Sequence, residues 1–493
     1  MKFHSTRDAS KVAYDSAVVI KQGLAADGGL FVPNSIPTLT AEEIESLRGA
    51  DYATRAAVIL GKYLTDYTHE ELLEDCRAAY ADTSFVGGAA PLVAIDDTVN
   101  SLELWHGPTA AFKDMALQIM PRLLSRALVK TNEKRTALIL VATSGDTGKA
   151  ALEGYRDIPG VQMLVFYPVD GVSRVQKLQM ATQLGENVDV CAIHGNFDDA
   201  QNGVKRIFAD SDAAAKLNEQ GYFLSSANSI NWGRLAPQIA YYVSAWLDLL
   251  NAGKCKPGET FNVCVPTGNF GNIFAAYLAK RMGVPIGRLI CASNKNNILT
   301  DFLATGTYDR NRAFYTTTSP SMDILISSNL ERLLYFTAGS DATAAYMKSL
   351  GETGAYTVST EVKAAIDADF CGYFADEEKT ADVIRRTWED RHYLCDTHTA
   401  VGLACAEQYI AETGDRRPMV LASTASPYKF AADVLRALGG EVPADELEAL
   451  DALTAMTGVD IPYPLCGLAQ RKVRFTEVCN PADMLNVAYN KLK

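Results

Sequence analysis

No run of eighteen apolar residues occurs in this chain, and its opening residues, Met1-Lys2-Phe3-His4-Ser5-Thr6-Arg7-Asp8, contain no apolar signal core. A membrane-spanning helix needs roughly 20 apolar residues, so neither a span nor a secretory signal is expected. Positive charge is short as well: the formal net charge is −13. A basic field is what draws a protein nonspecifically to nucleic acid or to an anionic membrane, so neither is an expected partner. Any anionic substrate must instead be met by a local pocket of cations or backbone amides. The ten cysteines include no CxxC pair, and the six histidines show neither metal-ligand spacing nor an HExxH motif. No metal site and no redox framework follow from them. Cys264 and Cys291 lie inside apolar runs, Val263-Cys264-Val265 and Ile290-Cys291-Ala292, and read as reduced core residues. A reducing cytoplasm is the expected location. Fixed-period repeats and low-complexity tracts are also lacking.

What is present is a globular composition, 48% apolar and 21% charged over 493 residues. A chain of that length divides into two or three domains. Residues 1–92 read as a mainly helical first domain. Within it, residues 24–33 predict a turn and a short strand, and helical patterns cover 41–48, 52–64 and 69–80. Two of these open with capping boxes, Thr40 with Glu43 and Thr68 with Glu71. Gly87-Gly88 marks the boundary. From residue 93 short β-branched runs alternate with helical patterns, the signature of βαβ units and parallel sheets. Strands are predicted at 137–141, 163–167, 188–193, 261–265, 289–292 and 419–422. Helices are predicted at 148–155, 172–184, 197–209, 235–250 and 272–281. This α/β region runs to about residue 440, and 441–493 form a C-terminal extension.

Ligands of open α/β sheets bind beyond the carboxyl ends of the strands, so the residues just after each strand carry the information. After the 137–141 strand comes Ala142-Thr143-Ser144-Gly145-Asp146-Thr147-Gly148-Lys149, which opens a helix and offers an anion site at its N-terminus. It is not a nucleotide P-loop, because Thr143 stands in place of the first glycine and Ala150 in place of the magnesium-binding hydroxyl. An N-capped turn is the plain alternative. After the 261–265 strand comes Pro266-Thr267-Gly268-Asn269-Phe270-Gly271-Asn272, where two glycines let successive amides face one point as a phosphate nest. After the 419–422 strand, Ser423 and Thr424 place two hydroxyls at the mouth of the cleft, or simply close a Ser/Thr turn. Two further polar stretches, Asn228-Ser229-Ile230-Asn231-Trp232-Gly233-Arg234 and Asp396-Thr397-His398-Thr399, offer an arginine suited to phosphate or carboxylate and a histidine that can equally be structural.

The remaining stretch is Trp105-His106-Gly107-Pro108-Thr109-Ala110-Ala111-Phe112-Lys113-Asp114, continuing as a helix over 115–127 with a kink at Pro121. An amine beside Phe112 and Ala111 can be desolvated, and desolvation lowers an ammonium's pKa and makes it a nucleophile able to form a Schiff base. Read alone, Lys113 is equally a solvated lysine at a helix start. A reactive lysine, two helix-terminal anion cradles and a strand-end hydroxyl together suit one cofactor, pyridoxal 5'-phosphate.

These motifs, in this order, resemble the threonine synthase family. The likeness extends to Ser321-Met322-Asp323-Ile324, to Ser327-Ser328-Asn329-Leu330-Glu331-Arg332, and to the start of the chain from Ser5-Thr6-Arg7 to Gly28-Gly29-Leu30-Phe31-Val32-Pro33. The resemblance implies a fold like the tryptophan synthase β family: two parallel-sheet α/β domains with the cofactor in the cleft between them, plus the helical N-terminal domain. It implies a lyase of threonine biosynthesis that converts O-phospho-L-homoserine and water to L-threonine and phosphate. Lys113 would be the Schiff-base lysine. Gly268, Asn269, Phe270, Gly271 and Asn272 would hold the cofactor phosphate, and Thr424 would face the pyridine nitrogen. Ser144, Gly145, Asp146 and Thr147 would bind the substrate carboxylate. Lys149 and Arg234 are the cations available for the substrate phosphate. Three departures stand out: Asp146 where the wider superfamily usually has Asn, Ser426 in place of a His of some relatives, and Thr397 in place of a common Pro. A pyridoxal-phosphate β-eliminating enzyme, such as a threonine or serine dehydratase, is the near alternative, and a P-loop kinase the distant one.

Overall fold

A computed structural model describes residues 1–143 and 145–493. The N-terminal domain begins with two strands, β1 (Phe3–Ser5) and β2 (Phe31–Pro33), paired antiparallel. The helix Ser16–Gln22 lies between them, an unpredicted element that Asp15 opens without a side-chain cap and Gly23 (φ 73°) ends. The three expected helices follow at Ala41–Arg48, Tyr52–Tyr63 and His69–Ala79, and both capping boxes are formed. The helix Tyr52–Tyr63 packs on Pro237–Asn251, which is buried on nearly every face, so the domain shares its core with the α/β region.

Two sheets make that region. The chain starts the first with β3 (Leu92–Ala94) and β4 (Val99–Glu103), then leaves it to build the second from β5 (Thr136–Ala142), β6 (Val161–Pro168), β7 (Val188–Ile193) and β8 (Tyr222–Ser225). It returns to the first with β9 (Phe261–Pro266) and β10 (Ile286–Ser293), makes a small antiparallel pair from β11 (Thr307–Asp309) and β12 (Ala355–Thr357), and completes the sheet with β13 (Phe370–Phe374) and β14 (Met419–Ser423). Last, β15 (Val478–Cys479) joins the second sheet beside β7, so residues after 440 contribute to that lobe. The first sheet has the order β13-β10-β9-β14-β4-β3 and the second β15-β7-β6-β5-β8. All neighbours are parallel except the edge pair β3–β4, which corrects the expectation of two wholly parallel sheets.

The strand order locates the cleft. In the second sheet β6 and β7 extend one way from β5 while β8 lies on its other side; in the first, β10 and β14 flank β9 on opposite sides. Crevices open where the order reverses, outside the carboxyl ends of β5, β9 and β14.

One predicted helix is broken. The stretch after Lys113 is the short helix Asp114–Leu117 and a second helix Met120–Lys130 with Pro121 in its first turn, not one kinked helix. The helix expected at 235–250 runs Pro237–Asn251, preceded by the separate short helix Trp232–Leu235, again with proline opening the longer piece. Proline has no N–H to give, so it is suited to a first turn, where that N–H would have no helical acceptor.

Candidate active site

Lys113 is strapped to the end of β14. Leu104 N donates to Ser423 O (3.0 Å), Phe112 N to Thr424 O (2.8 Å) and Ser426 N to Ala110 O (3.1 Å). Behind the lysine, buried Asp114 accepts the Thr109 N–H and hydroxyl, both at 2.8 Å, and burial pushes its carboxyl up to about 7. A Cβ at Gly107 would lie 2.6 Å from that carboxylate, so only glycine fits this turn. The Lys113 side chain is 11% exposed, with Nζ 3.1 Å from Ser321 Oγ, 3.7 Å from Asp146 Oδ2 and 5.1 Å from the centre of the Phe112 ring. Burial lowers its pKa; Asp146 works against that, while Lys429 and Arg234 add to it. The desolvation expected from Phe112 and Ala111 is therefore present.

Ser321 joins the lysine to the glycine loop. Its hydroxyl takes the Lys113 hydrogen bond, and its carbonyl oxygen lies 2.5 Å from where a Cβ on Gly268 would stand. In that loop Phe270 adopts a left-handed conformation (φ 63°) before the helix Gly271–Arg281. The loop carbonyls turn away: Gly268 O accepts from Ser327 Oγ (2.7 Å) and Asn269 O from Asn329 N (3.0 Å). No acceptor among the described residues takes the amide hydrogens of Gly268, Asn269, Phe270, Gly271 or Asn272. The Asn272 amide nitrogen is buried and unpartnered too, while its oxygen accepts from the hydroxyls of Tyr241 and Tyr242. A helix N-terminus with this many free donors can hold a phosphate. Arg332 braces the loop from behind, bonded to Asn329 and to the carbonyls of Phe31 (3.0 Å) and Ile230 (2.6 Å); burial brings its guanidinium down to about 9.

At the end of β14 the two hydroxyls part company. Ser423 Oγ accepts from Trp105 Nε1 (3.0 Å) and pairs with Thr399 (3.0 Å), so it is a framework group and not a second cleft donor. The Thr424 hydroxyl makes no hydrogen bond among the described residues. His398 is structural in its bonding, with Nδ1 at 2.7 Å from Asp396 and Nε2 accepting the Ser321 N–H at 3.2 Å, but the residue it holds is the one that touches Lys113.

The loop after β5 differs from expectation. Ser144 lies outside the described residues. The amides of Gly145 and Gly148 both donate to Thr143 Oγ1, at 3.0 and 2.9 Å, which leaves those of Asp146 and Thr147 without an acceptor among the described residues. The Asp146 carboxylate accepts from Gln176 (2.8 Å) and lies 2.8 Å from the Lys429 ammonium, which also donates to Gln179 (2.9 Å). Burial alone would raise the Asp146 pKa; Lys429 and Lys113 overcome it and hold the carboxyl far below its ordinary value. Lys429 was not foreseen. Its signal was there, a lone lysine between Tyr428 and Phe430 just past a strand end, as Lys113 follows Phe112.

Of the two cations considered for a substrate phosphate, the structure engages Lys149 elsewhere: its ammonium is spent on Glu153 (2.9 Å) and Gln183. Arg234 is 5% exposed, donates to Ala227 O (2.6 Å), and has no acidic partner and an unpartnered Nε among the described residues. Burial brings it down to about 10. Neither is a solvated surface charge.

Fold and cleft define a class, and a family model described as pyridoxal-phosphate dependent enzyme matches residues 101–424. Models described as threonine synthase N terminus and threonine synthase, C-terminal match residues 2–80 and 399–487. The chain is 38% identical over 450 residues to threonine synthase of Pseudomonas aeruginosa, covering 90% of this chain and 92% of that one. It is 40% identical to threonine synthase-like 1 of Homo sapiens, covering 86% of this chain but spanning only 58% of that protein's length. A crystal structure of pyridoxal-phosphate-bound threonine synthase from Brucella melitensis superposes with a TM-score of 0.89 at 37% identity, covering 100% of this chain and 99% of that one. The chain belongs to the threonine synthase family of pyridoxal-phosphate enzymes. The residues present fit the cofactor: one desolvated amine and one nest of free amides, joined by a single intervening serine.

Proposed function

We propose that this protein converts O-phospho-L-homoserine and water to L-threonine and phosphate, with pyridoxal phosphate attached at Lys113. The observation that carries the reading is Ser321, which touches both the Lys113 amine and Gly268 and so sets amine and amide nest within the reach of one small ring. The cofactor supplies an electron sink for charge developed at the substrate's α-carbon. Gly268, Asn269, Phe270, Gly271 and Asn272 hold its phosphate, and the neutral Thr424 hydroxyl faces its pyridine nitrogen. The Asp146 and Thr147 amides, with Ser144 and Gly145 in the same loop, receive the substrate carboxylate. Lys113 Nζ, once free, takes the proton from the α-carbon and later returns it, for which a lowered pKa suits an amine at neutral pH. Arg234 receives the substrate phosphate, an anion that relieves a buried guanidinium with no acidic partner among the described residues. The ten free cysteines accord with a reducing cytoplasm.

The test is release of inorganic phosphate with formation of threonine from O-phospho-L-homoserine by the pure, visibly coloured protein. Lys113→Ala is expected to lose the visible band and about 10³-fold or more of turnover, as for a nucleophile that also moves the proton. Survival of both would overturn the reading. Ammonia release from threonine or serine, without phosphate chemistry, would favour a dehydratase instead.

A further inference from the structure

Asp146 is out of place by ordinary reasoning, a carboxylate in the first turn of a helix whose task is to receive another carboxylate. Two amines share it. Lys429 Nζ lies 2.8 Å from Oδ1 with its side chain fully buried, and Lys113 Nζ lies 3.7 Å from Oδ2. The two are not equivalent. Lys429 is tied to three oxygen acceptors, Asp146, Gln179 Oε1 at 2.9 Å and Thr109 O at 3.3 Å. Among the described residues Lys113 has one serine hydroxyl and the farther carboxylate oxygen. The other charged groups near the pair are Arg234, which acts on Lys113 from the Trp232–Leu235 helix, and Asp114 beneath it. Lys149 and Glu153 neutralise one another. One carboxylate between two amines leaves one surplus positive charge, and Lys113 is the amine free to give it up.

We propose that Asp146 and Lys429 act together as positioning residues that set the proton affinity of the Lys113 nitrogen: the carboxylate holds a proton there, and the buried ammonium limits how firmly. The proposal rests on Lys113 as the cofactor lysine. It accounts for an acid in this loop, since the Asp146 side chain serves the lysine and only its backbone amide faces the substrate. Lys429 is the counter-charge that lets the acid be buried ionised.

The pH at which the holoenzyme's visible band changes reports protonation of the Lys113 nitrogen. Removing a negative charge about 4 Å away lowers a nitrogen's proton affinity, and removing a nearby positive charge raises it. Asp146→Asn is therefore expected to move the transition down by more than about one pH unit, and Lys429→Gln, which keeps hydrogen bonds but loses the charge, to move it up by a similar amount. Each folded variant decides by itself: a transition unmoved in either overturns the proposal. A wild-type protein with no band to titrate would instead refute the assignment of Lys113, so the two failures are distinct.

Discussion

Two loops face each other across the cleft, both opening a helix at the end of a central strand, and they are built by opposite means. After β9 the loop carries no charged side chain; its carbonyls are drawn off by Ser327 and Asn329, and its amides are left spare. After β5 the amides of Gly145 and Gly148 are already satisfied by Thr143, and an ion pair, Asp146 with Lys429, is buried in the first turn. A resident phosphate needs only fixed donors, because nothing about it changes during turnover. A ligand that comes and goes beside a lysine that gains and loses a proton needs charges that can be balanced against both. The lesson is that a helix N-terminus is a starting material: glycine and backbone make it a cradle, and paired side chains make it a tuned site.

The sharpest way to break this comparison is to put a methyl group into the first loop. At Gly268 the new carbon would stand 2.5 Å from the Ser321 carbonyl, so either the nest or the serine that bonds Lys113 must shift. Gly268→Ala is expected to weaken cofactor binding at least about tenfold, about 1.4 kcal/mol, read by equilibrium dialysis of the apoprotein with pyridoxal phosphate. Gly271→Ala, whose Cβ would come no closer than 3.4 Å to a neighbour, the Asn329 amide nitrogen, is the milder control. Equal affinity in Gly268→Ala and wild type would remove the close-packed nest from the argument.

The second loop should respond in the other parameter. Thr143→Val keeps the shape and removes the hydroxyl that takes two buried amides, a loss of roughly 1–3 kcal/mol per unsatisfied group. The expected outcome is a KM for O-phospho-L-homoserine raised about tenfold, within that range, with cofactor affinity unchanged. A fall in cofactor affinity with KM intact would mean the two loops do not divide the work.

This division was only partly legible in the chain. Local signals carried well: both capping boxes, the glycine loop and six strands of the two sheets were readable, because each depends on residues a few positions apart. Five sheet strands were not, among them the very short edge strands Leu92–Ala94 and Val478–Cys479. Val99–Glu103 contains Asn100 and Ser101, and Tyr222–Ser225 is four residues long; Phe370–Phe374 carries Gly372, which keeps the segment from reading as a β-branched run. Their burial is decided by neighbours rather than by their own pattern. The same limit hid the ion pair. Ser321 meets Lys113 across 208 positions of sequence, and Lys429 meets Gln179 across 250. Such contacts are products of the fold, and the residues after a strand end show only which groups are available.

The smallest expected effect lies outside both loops and tests whether they are insulated from the N-terminal domain. At Thr68 the side chain accepts from Glu71 N (3.2 Å) while Glu71 accepts from Thr68 N (2.8 Å), and Glu71 also pairs with Lys130 at 2.7 Å. Thr68→Ala removes the first bond and frees the helix start, a loss of about 1 kcal/mol, visible as a lower urea midpoint. Cofactor affinity and the titration of the visible band are expected to stay as they were, because the cap stands on a partly exposed helix and touches neither loop. The N-terminal domain does have one route to the cofactor loop: Arg332 bonds Phe31 O on one side and Asn329 on the other, and Asn329 holds Asn269 O. A change in cofactor affinity on losing the cap would mean that strain in the first domain travels through that guanidinium, and the nest after β9 would then be less self-sufficient than its free amides make it.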